Sequence, residues 1–556
     1  MEERGHPLFW LVFTVCILLV GAGVTTNFID WRTDNEPIDQ SSWDERTYVD
    51  EKMGEYLSGL IGGHNSSIVK SEPINSTHFR IINLYDGYTL DVPLNWTLDD
   101  KEHEHIIHLR SEGVKLSIFR QGLNLSFERI GNYINYSNAN IRDDYGPITH
   151  LSDGEKGIGG RKFVTIDYIR DPIETVEGDM NKYRQYHHIV ENGSVLSFFL
   201  KSAEGRFEGF SNQVESSLAT LKVMDVNPSS IDLDVPEEKV DRITLSGSRT
   251  SLTINRDEKV MGLWHQVHED YWSEIEQLEG ELGFEFDLFM DYFNFRTPYE
   301  QASDFIEKHY EEGHFMLITL QPYTTSHGKD YEGDVVIFDM LNGDWDEYLY
   351  GWARGLRDLN EPVFLRFGNE MNGDWAQWCS WFYGLDPDLY IMAWVRVHTI
   401  FEEAGADNVI FVWNPHDRTY PDYDWQAQYL YYPGDDMVDW IGLTAYNNGV
   451  TRPTEHWRDF EECYSDLYDE YMIRYSDKPF MITEFACNEI GGNKSDWIRV
   501  GLNSLFREYP NIWMAVWWNG VDDTWIYDID SSQASLEAFK EMMAHPAVLK
   551  DPVRRD

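Results

Sequence analysis

Residues 251–556 predict a (β/α)8 barrel, and residues 72–224 predict an α+β domain built on an antiparallel sheet. Three observations carry this reading. Eight short apolar runs recur between Val260 and Trp518, and helical periods separate most of them. Before Asp225, apolar and polar residues alternate instead. Continuous apolar runs mark parallel strands buried on both faces, whereas alternation marks antiparallel strands with one wet face.

The chain opens with Met1–His6 and an apolar stretch from Leu8 to Val24. That stretch is long for a signal-peptide core and barely long enough to span a membrane. A cleaved signal (residues 1–26) and a retained anchor both fit, and both imply a protein secreted or held on the outer face of the cell membrane. Residues 27–71 are acidic and polar and read as a tether. The alternating runs follow at Phe79–Leu84, Tyr88–Val92, Val114–Phe119, Lys162–Ile166 and Ser194–Leu200, with Phe207–Leu221 as a closing helix. Gly87-Tyr-Thr-Leu-Asp-Val-Pro-Leu-Asn-Trp96 resembles PsbP-like accessory domains, a resemblance that implies no activity. Residues 225–250, rich in acids with Asn-Pro and Val-Pro steps, read as a linker.

The barrel runs are Val260–Trp264, Phe286–Asp291, Phe315–Leu320, Val363–Phe367, Val409–Trp413, Trp440–Tyr446, Phe480–Thr483 and Trp513–Trp518. Helical periods lie between them at Tyr299–Glu312, Trp345–Leu359, Leu389–Ala404, His456–Tyr475 and Asp496–Tyr509. The crossover after Pro415 carries no clean helical period. A doubly wound open sheet would place a glycine-rich phosphate loop after a strand, and none occurs.

Composition narrows the partners. The formal charge is −52 and the pI near 4.5, a surface that repels nucleic acid and anionic membranes and suits a neutral substrate. The only membrane contact expected is through the apolar N-terminal stretch. Of 21 tryptophans, 17 fall at Trp264 or later, which favours a sugar-stacking site in that half. Seven Asn-X-Ser/Thr triplets, six of them between Asn65 and Asn192, fit an exported glycoprotein. Cys16, Cys379, Cys463 and Cys487 show no metal-ligand spacing, so neither metal nor cofactor is expected. Cys379 and Cys487 follow the two loops described next. They are either free buried thiols or a disulfide pair.

Glu370 ends the fourth run and Glu484 the seventh, and active sites of such barrels lie at the carboxyl ends of the strands. These positions face each other across the mouth. Two carboxyls about 5.5 Å apart form the pair of a retaining glycosidase, one as acid/base and one as nucleophile. Arg366, four residues before Glu370, points to the same side and is expected to keep a carboxylate ionised. Tyr446 ends the sixth run, where its hydroxyl can orient Glu484. Trp375 and Trp378 follow Glu370, and Trp517 and Trp518 end the eighth run. One of each pair is expected to form a sugar platform while the other packs. Trp413 and His265 also fall at strand ends, where site and core roles are both open.

Three strings resemble glycoside hydrolase family 26, whose members are chiefly endo-β-mannanases. They are Leu365-Arg-Phe-Gly-Asn-Glu-Met-Asn-Gly-Asp-Trp375, Tyr432-Pro-Gly-Asp-Asp-Met-Val-Asp-Trp-Ile-Gly442 and Lys478-Pro-Phe-Met-Ile-Thr-Glu-Phe-Ala486. The resemblance covers roughly residues 261–544. It implies that Glu370 is the acid/base and Glu484 the nucleophile of a double displacement on a β-linked polysaccharide, mannan first. One position departs from the pattern: Asn369 stands where the family usually has His. Related barrel glycosidases use Asn there to hold the sugar 2-hydroxyl, which is axial in mannose and equatorial in glucose, so a mixed-linkage β-glucan is the alternative substrate. A non-catalytic glycan-binding protein is the alternative function, although binding alone requires neither glutamate.

Overall fold

The computed structural model describes residues 69–103, 106–122, 127–190, 193–224, 235–324 and 335–550; side chains are described in these ranges except at 101–103 and 127–130. The apolar stretch Leu8–Val24, Cys16, Asn65, Asn124, Asn192 and most of the tether lie outside them. Among the described residues no helix is long and apolar enough to cross a membrane.

All eight predicted runs are strands of one closed parallel barrel. We number them β1 (Val260–His265), β2 (Leu288–Asn294), β3 (Phe315–Gln321), β4 (Val363–Phe367), β5 (Val409–Trp413), β6 (Trp440–Asn447), β7 (Phe480–Cys487) and β8 (Ile512–Asn519). Closure comes from β8 pairing with β1, from Met514 opposite Val260 to Asn519 opposite His265. Every residue of β3, β4, β7 and β8 is buried, as expected of strands covered outside by helices and inside by one another. Helix Pro387–Glu403 is buried on nearly every side, whereas other covering helices bury one stripe. Asp346–Leu359, for example, buries Leu349, Trp352, Ala353, Leu356 and Leu359, spaced by three or four residues, and ends where Asn360 takes φ 56°. The crossover without a helical period carries three short 3-10 turns, Asp424–Gln426, Gln428–Tyr431 and Asp435–Met437.

The segment read as linker contains a strand. Arg242–Ser246 and Ser251–Asn255 form a hairpin that runs into β1 at the barrel's amino-terminal end, burying Ile243, Leu245, Leu252 and Ile254. Its turn is pinned by the buried carboxylate of Glu361, just before β4, which accepts from Ser248 Oγ at 2.5 Å, Arg249 N at 2.6 Å and Thr250 Oγ1 at 2.6 Å. Five alternating residues were enough for each strand, and the acidic, proline-containing flank concealed the first.

The first domain differs from a single sheet in two ways. A four-stranded antiparallel sheet begins at Val69–Pro73, inside the segment read as tether, and a separate seven-stranded antiparallel sheet follows. Helix Phe207–Leu218 shares a core with the four-stranded sheet and one face of the larger one, through Phe207, Phe210, Val214 and Leu218. The other face of the larger sheet is apolar too. Ile106, Phe119, Ile166, Tyr168, Tyr183 and Val195 belong to one continuous core with the barrel.

Candidate active site

The acid/base candidate sits on a strained turn. Just beyond β4, Gly368 has φ 52° and Glu370 φ 56°. A left-handed conformation costs a side-chain-bearing residue roughly 1–3 kcal/mol and persists only where the surroundings impose it. Here Gly368 N donates to Leu320 O at 3.0 Å and Glu370 N to Asn414 O at 2.8 Å, so the turn is bonded to strand ends on both sides. A Cβ at position 368 would lie 3.1 Å from the Tyr390 ring, so glycine suits both the backbone angle and the space. Glu370 is left 8% exposed at the mouth.

Glu484 reaches the mouth by a bulge. The strand continues past Thr483, and opposite Leu443 and Thr444 it holds one extra residue: Ile482 pairs with Leu443 and Glu484 with Thr444. Such an insertion lets consecutive side chains share a face. Thr483 Oγ1 donates inward to Asn414 Oδ1 at 2.9 Å, and the next residue, Glu484, also points inward.

Between the two lies Arg366, fully buried. Its Nε and Nη2 donate to Thr319 Oγ1 at 2.9 and 2.7 Å, and Nη1 donates to Asn414 Oδ1 at 2.8 Å. Nη2 also lies 2.5 Å from Glu484 Oε1, a contact of opposite charges that lacks the alignment of a hydrogen bond. Arg366 is therefore the ion-pair partner of Glu484, not of the nearer-in-sequence Glu370. The Tyr446 hydroxyl donates to the other oxygen, Glu484 Oε2, at 2.5 Å. Burial and the adjacent carboxylate push the Tyr446 hydroxyl far above its ordinary range, so it remains a donor.

The Glu370 environment is the opposite. Its Oε2 accepts from Trp375 Nε1 at 3.2 Å. Burial pushes its carboxyl up; His416 and Arg366 pull it back, while the charge of Glu484 adds to the rise, and the balance is about 7. A carboxyl that must donate a proton is lost as pH rises through that value. We expect kcat/KM to be flat just below pH 7 and to fall tenfold per pH unit well above it; a pH–rate profile checks this, and activity undiminished to pH 9 would contradict it.

Aromatic walls complete the mouth. Trp518 stacks on Trp264 at 4.1 Å and donates to the Tyr292 hydroxyl at 3.3 Å, and Tyr292 lies 5.7 Å from the Arg366 guanidinium. Tyr527 stands edge-on to Trp518 and faces Tyr446. Among the tryptophan pairs, Trp375 and Trp518 thus face the mouth. Trp378 packs behind it, donating to Asn369 O at 2.6 Å, and Trp517 is buried outside the barrel against Phe485 and Phe539. Trp413 is fully buried among Tyr432, Tyr471 and Tyr475 and belongs to the outer core. Both ring nitrogens of His265 are engaged, with Glu274 and with Asn519, so it braces the ends of β1 and β8. Asn369 is buried, its Oδ1 accepting from Gln321 Nε2 at 3.0 Å. The supporting residues Thr319, Gln321, Asn414 and His416, and the aromatic residues Tyr292, Trp264 and Tyr527, escaped sequence reasoning. Their shared signal was a polar or aromatic residue within or just beyond a strand end. Cys379, Cys463 and Cys487 are free buried thiols.

Residues 310–467, which include Glu370 and Tyr446, match the family model described as Glycosyl hydrolase family 26. The barrel is a glycosyl hydrolase family 26 domain. Over 287 residues, half of this chain, it is 29% identical to Endoglucanase H of Acetivibrio thermocellus, covering 30% of that protein. Over 193 residues, 33% of this chain, it is 26% identical to the mannan endo-1,4-beta-mannosidase of Bacillus subtilis, covering 46% of that protein. The chain thus spans less than half the length of either relative. Among solved structures, a GH26 beta-mannanase from Bacteroides ovatus overlaps 53% of this chain and 91% of its own, at 17% identity and a TM-score of 0.41. In the family 26 barrel the two glutamates occupy the ends of β4 and β7, on opposite sides of one mouth.

Proposed function

We propose that the chain is an exported, retaining endo-β-glycosidase that hydrolyses a neutral β-1,4-linked polysaccharide, mannan first, by double displacement. Glu370 protonates the leaving oxygen while Glu484 attacks the anomeric carbon, forming a glycosyl-enzyme bond. Glu370 then takes a proton from water, which displaces Glu484 with a second inversion. The observation that carries this reading is the contrast between the two carboxyls. One keeps its proton to about pH 7, and the other is held between a guanidinium and a tyrosine hydroxyl. Arg366 on Oε1 and Tyr446 on Oε2 fix the orientation of the Glu484 carboxylate.

A second substrate, β-glucan, is favoured by Asn369. With Oδ1 occupied by Gln321, its Nδ2 is the group left for a sugar hydroxyl, in place of the histidine usual in the family. Reducing-sugar release from mannan, glucomannan, lichenan and xylan tests both, and the configuration of the first-formed sugar tests retention. Retardation in a glycan gel without any release would replace the enzyme reading by a binding one. Export is supported by the exposure of every acceptor asparagine among the described residues: Asn75, Asn95, Asn135 and Asn493. An unchanged electrophoretic mobility after enzymatic removal of N-glycans would count against it.

A further inference from the structure

None of the side chains assigned to the chemistry above belongs to the first domain, yet its contacts converge on the loop between Glu370 and helix Pro387–Glu403. The Tyr136 hydroxyl donates to the Asp374 carboxylate. The Trp381 ring stacks on Tyr136 at 5.2 Å and 13°, and its Nε1 donates back to Tyr136 O at 3.1 Å. Farther along, the Tyr168 hydroxyl donates to Gly384 O at 2.7 Å, and Lys201 closes a buried 2.6 Å ion pair with Asp386. The loop after β5 is gripped as well: Trp425 Nε1 donates to Ser137 Oγ at 2.9 Å, and Asp424 N to Gln121 Oε1 at 2.6 Å.

The first of these contacts lies one residue from the chemistry. Asp374 precedes Trp375, whose indole N–H reaches Glu370. The indole is folded back so closely that a Cβ at Gly373 would lie 2.6 Å from it, and His416 packs edge-on against it at 5.2 Å. Its position is therefore set by the backbone at 373–375. From within the barrel, Gly373 N donates to Glu370 O at 3.1 Å and Gln426 Nε2 to Gly373 O; from the first domain, Tyr136 holds Asp374. One face of the Tyr136 ring is taken up by Trp381, and Tyr423 lies edge-on to it at 6.4 Å.

We propose that the first domain is a working part of the catalytic centre, and that Tyr136 is a positioning residue holding the Trp375–Glu370 contact through Asp374. The inference rests on Glu370 as the acid/base. Tyr136 touches no reacting atom, so its effect must pass through delivery of the Glu370 proton. That delivery matters for a sugar leaving group and hardly at all for a dinitrophenolate, which departs without protonation.

The test compares the full-length chain with its Tyr136→Phe and Asp374→Asn variants. Each is assayed for kcat/KM on the polysaccharide and on the 2,4-dinitrophenyl glycoside of the matching oligosaccharide. Phe keeps the stack on Trp381, and turnover of the activated glycoside reports that the variant is folded. We expect a loss of about tenfold on the polysaccharide and less than about twofold on the activated glycoside, for both variants. Equal losses on the two substrates, or no loss on either, would overturn the inference while leaving the functional reading intact. An inactive wild type would overturn both.

Discussion

Replacement of Glu484 by Ala is expected to abolish polysaccharide turnover, by roughly 10⁴-fold or more, because the covalent step loses its nucleophile. Added azide should then occupy the vacated space and attack from the same face, releasing a glycosyl azide of inverted configuration. That product distinguishes a missing nucleophile from a damaged fold. The distinction is needed here, since removing Glu484 leaves the fully buried Arg366 without its ion-pair partner. Breaking a buried pair typically costs about 3–5 kcal/mol. Glu484→Gln keeps the volume and the Tyr446 contact, so it should be comparably inactive with a smaller loss in denaturant midpoint. Substantial activity in either variant, with no azide product, would remove Glu484 from the nucleophile role.

Glu370→Ala should behave differently on different substrates. On the polysaccharide the loss should be about 10²–10⁴-fold, the usual worth of a general acid. On a dinitrophenyl glycoside kcat/KM should stay near wild type, while kcat falls because the second step lacks its base. On that activated substrate, whose departure needs no proton, kcat/KM should show no alkaline limb near pH 7 in either protein, whereas the wild type keeps the limb on the polysaccharide. Stability carries the same signature. The folded state holds the Glu370 proton to about pH 7, whereas the unfolded chain releases it near 4.5. The folded state therefore binds more protons between these values, and its stability falls as pH rises from about 4.5 to about 7, by roughly 3 kcal/mol. Glu370→Gln removes this contribution and should be more stable than wild type above pH 7. Parallel stability–pH curves for the two proteins would refute the buried acid.

The barrel was legible because parallel strands covered on both sides must be apolar throughout. Runs such as Val363–Phe367 and Phe480–Thr483 therefore stand out, and a glutamate within three residues after each is conspicuous. Orientation was not legible. Trp517 and Trp518 are adjacent and chemically identical, and only the register of β8 against β1 sends Trp518 into the mouth and Trp517 to the outer core. The bulge at Thr483 had no sequence signature at all, since an extra residue in a strand is defined only by its neighbour. Which carboxylate Arg366 serves was not legible either: it precedes Glu370 in the chain, and barrel closure brings it to Glu484.

The first domain shows the same boundary at a larger scale. Alternation in Val114–Phe119 and Ser194–Leu200 predicted strands with one dry face, yet both faces of that sheet are covered, one by its own helix and one by the barrel. The sequence by itself determined the order of strands and helices, the apolar positions and the two carboxylates at strand ends, because burial leaves a local, periodic trace. Only the tertiary structure decided what covers each buried face, which side chains meet at the mouth, and that Tyr136 grips the loop of Glu370. The Tyr136 contact joins residues 238 positions apart, and no local pattern records it.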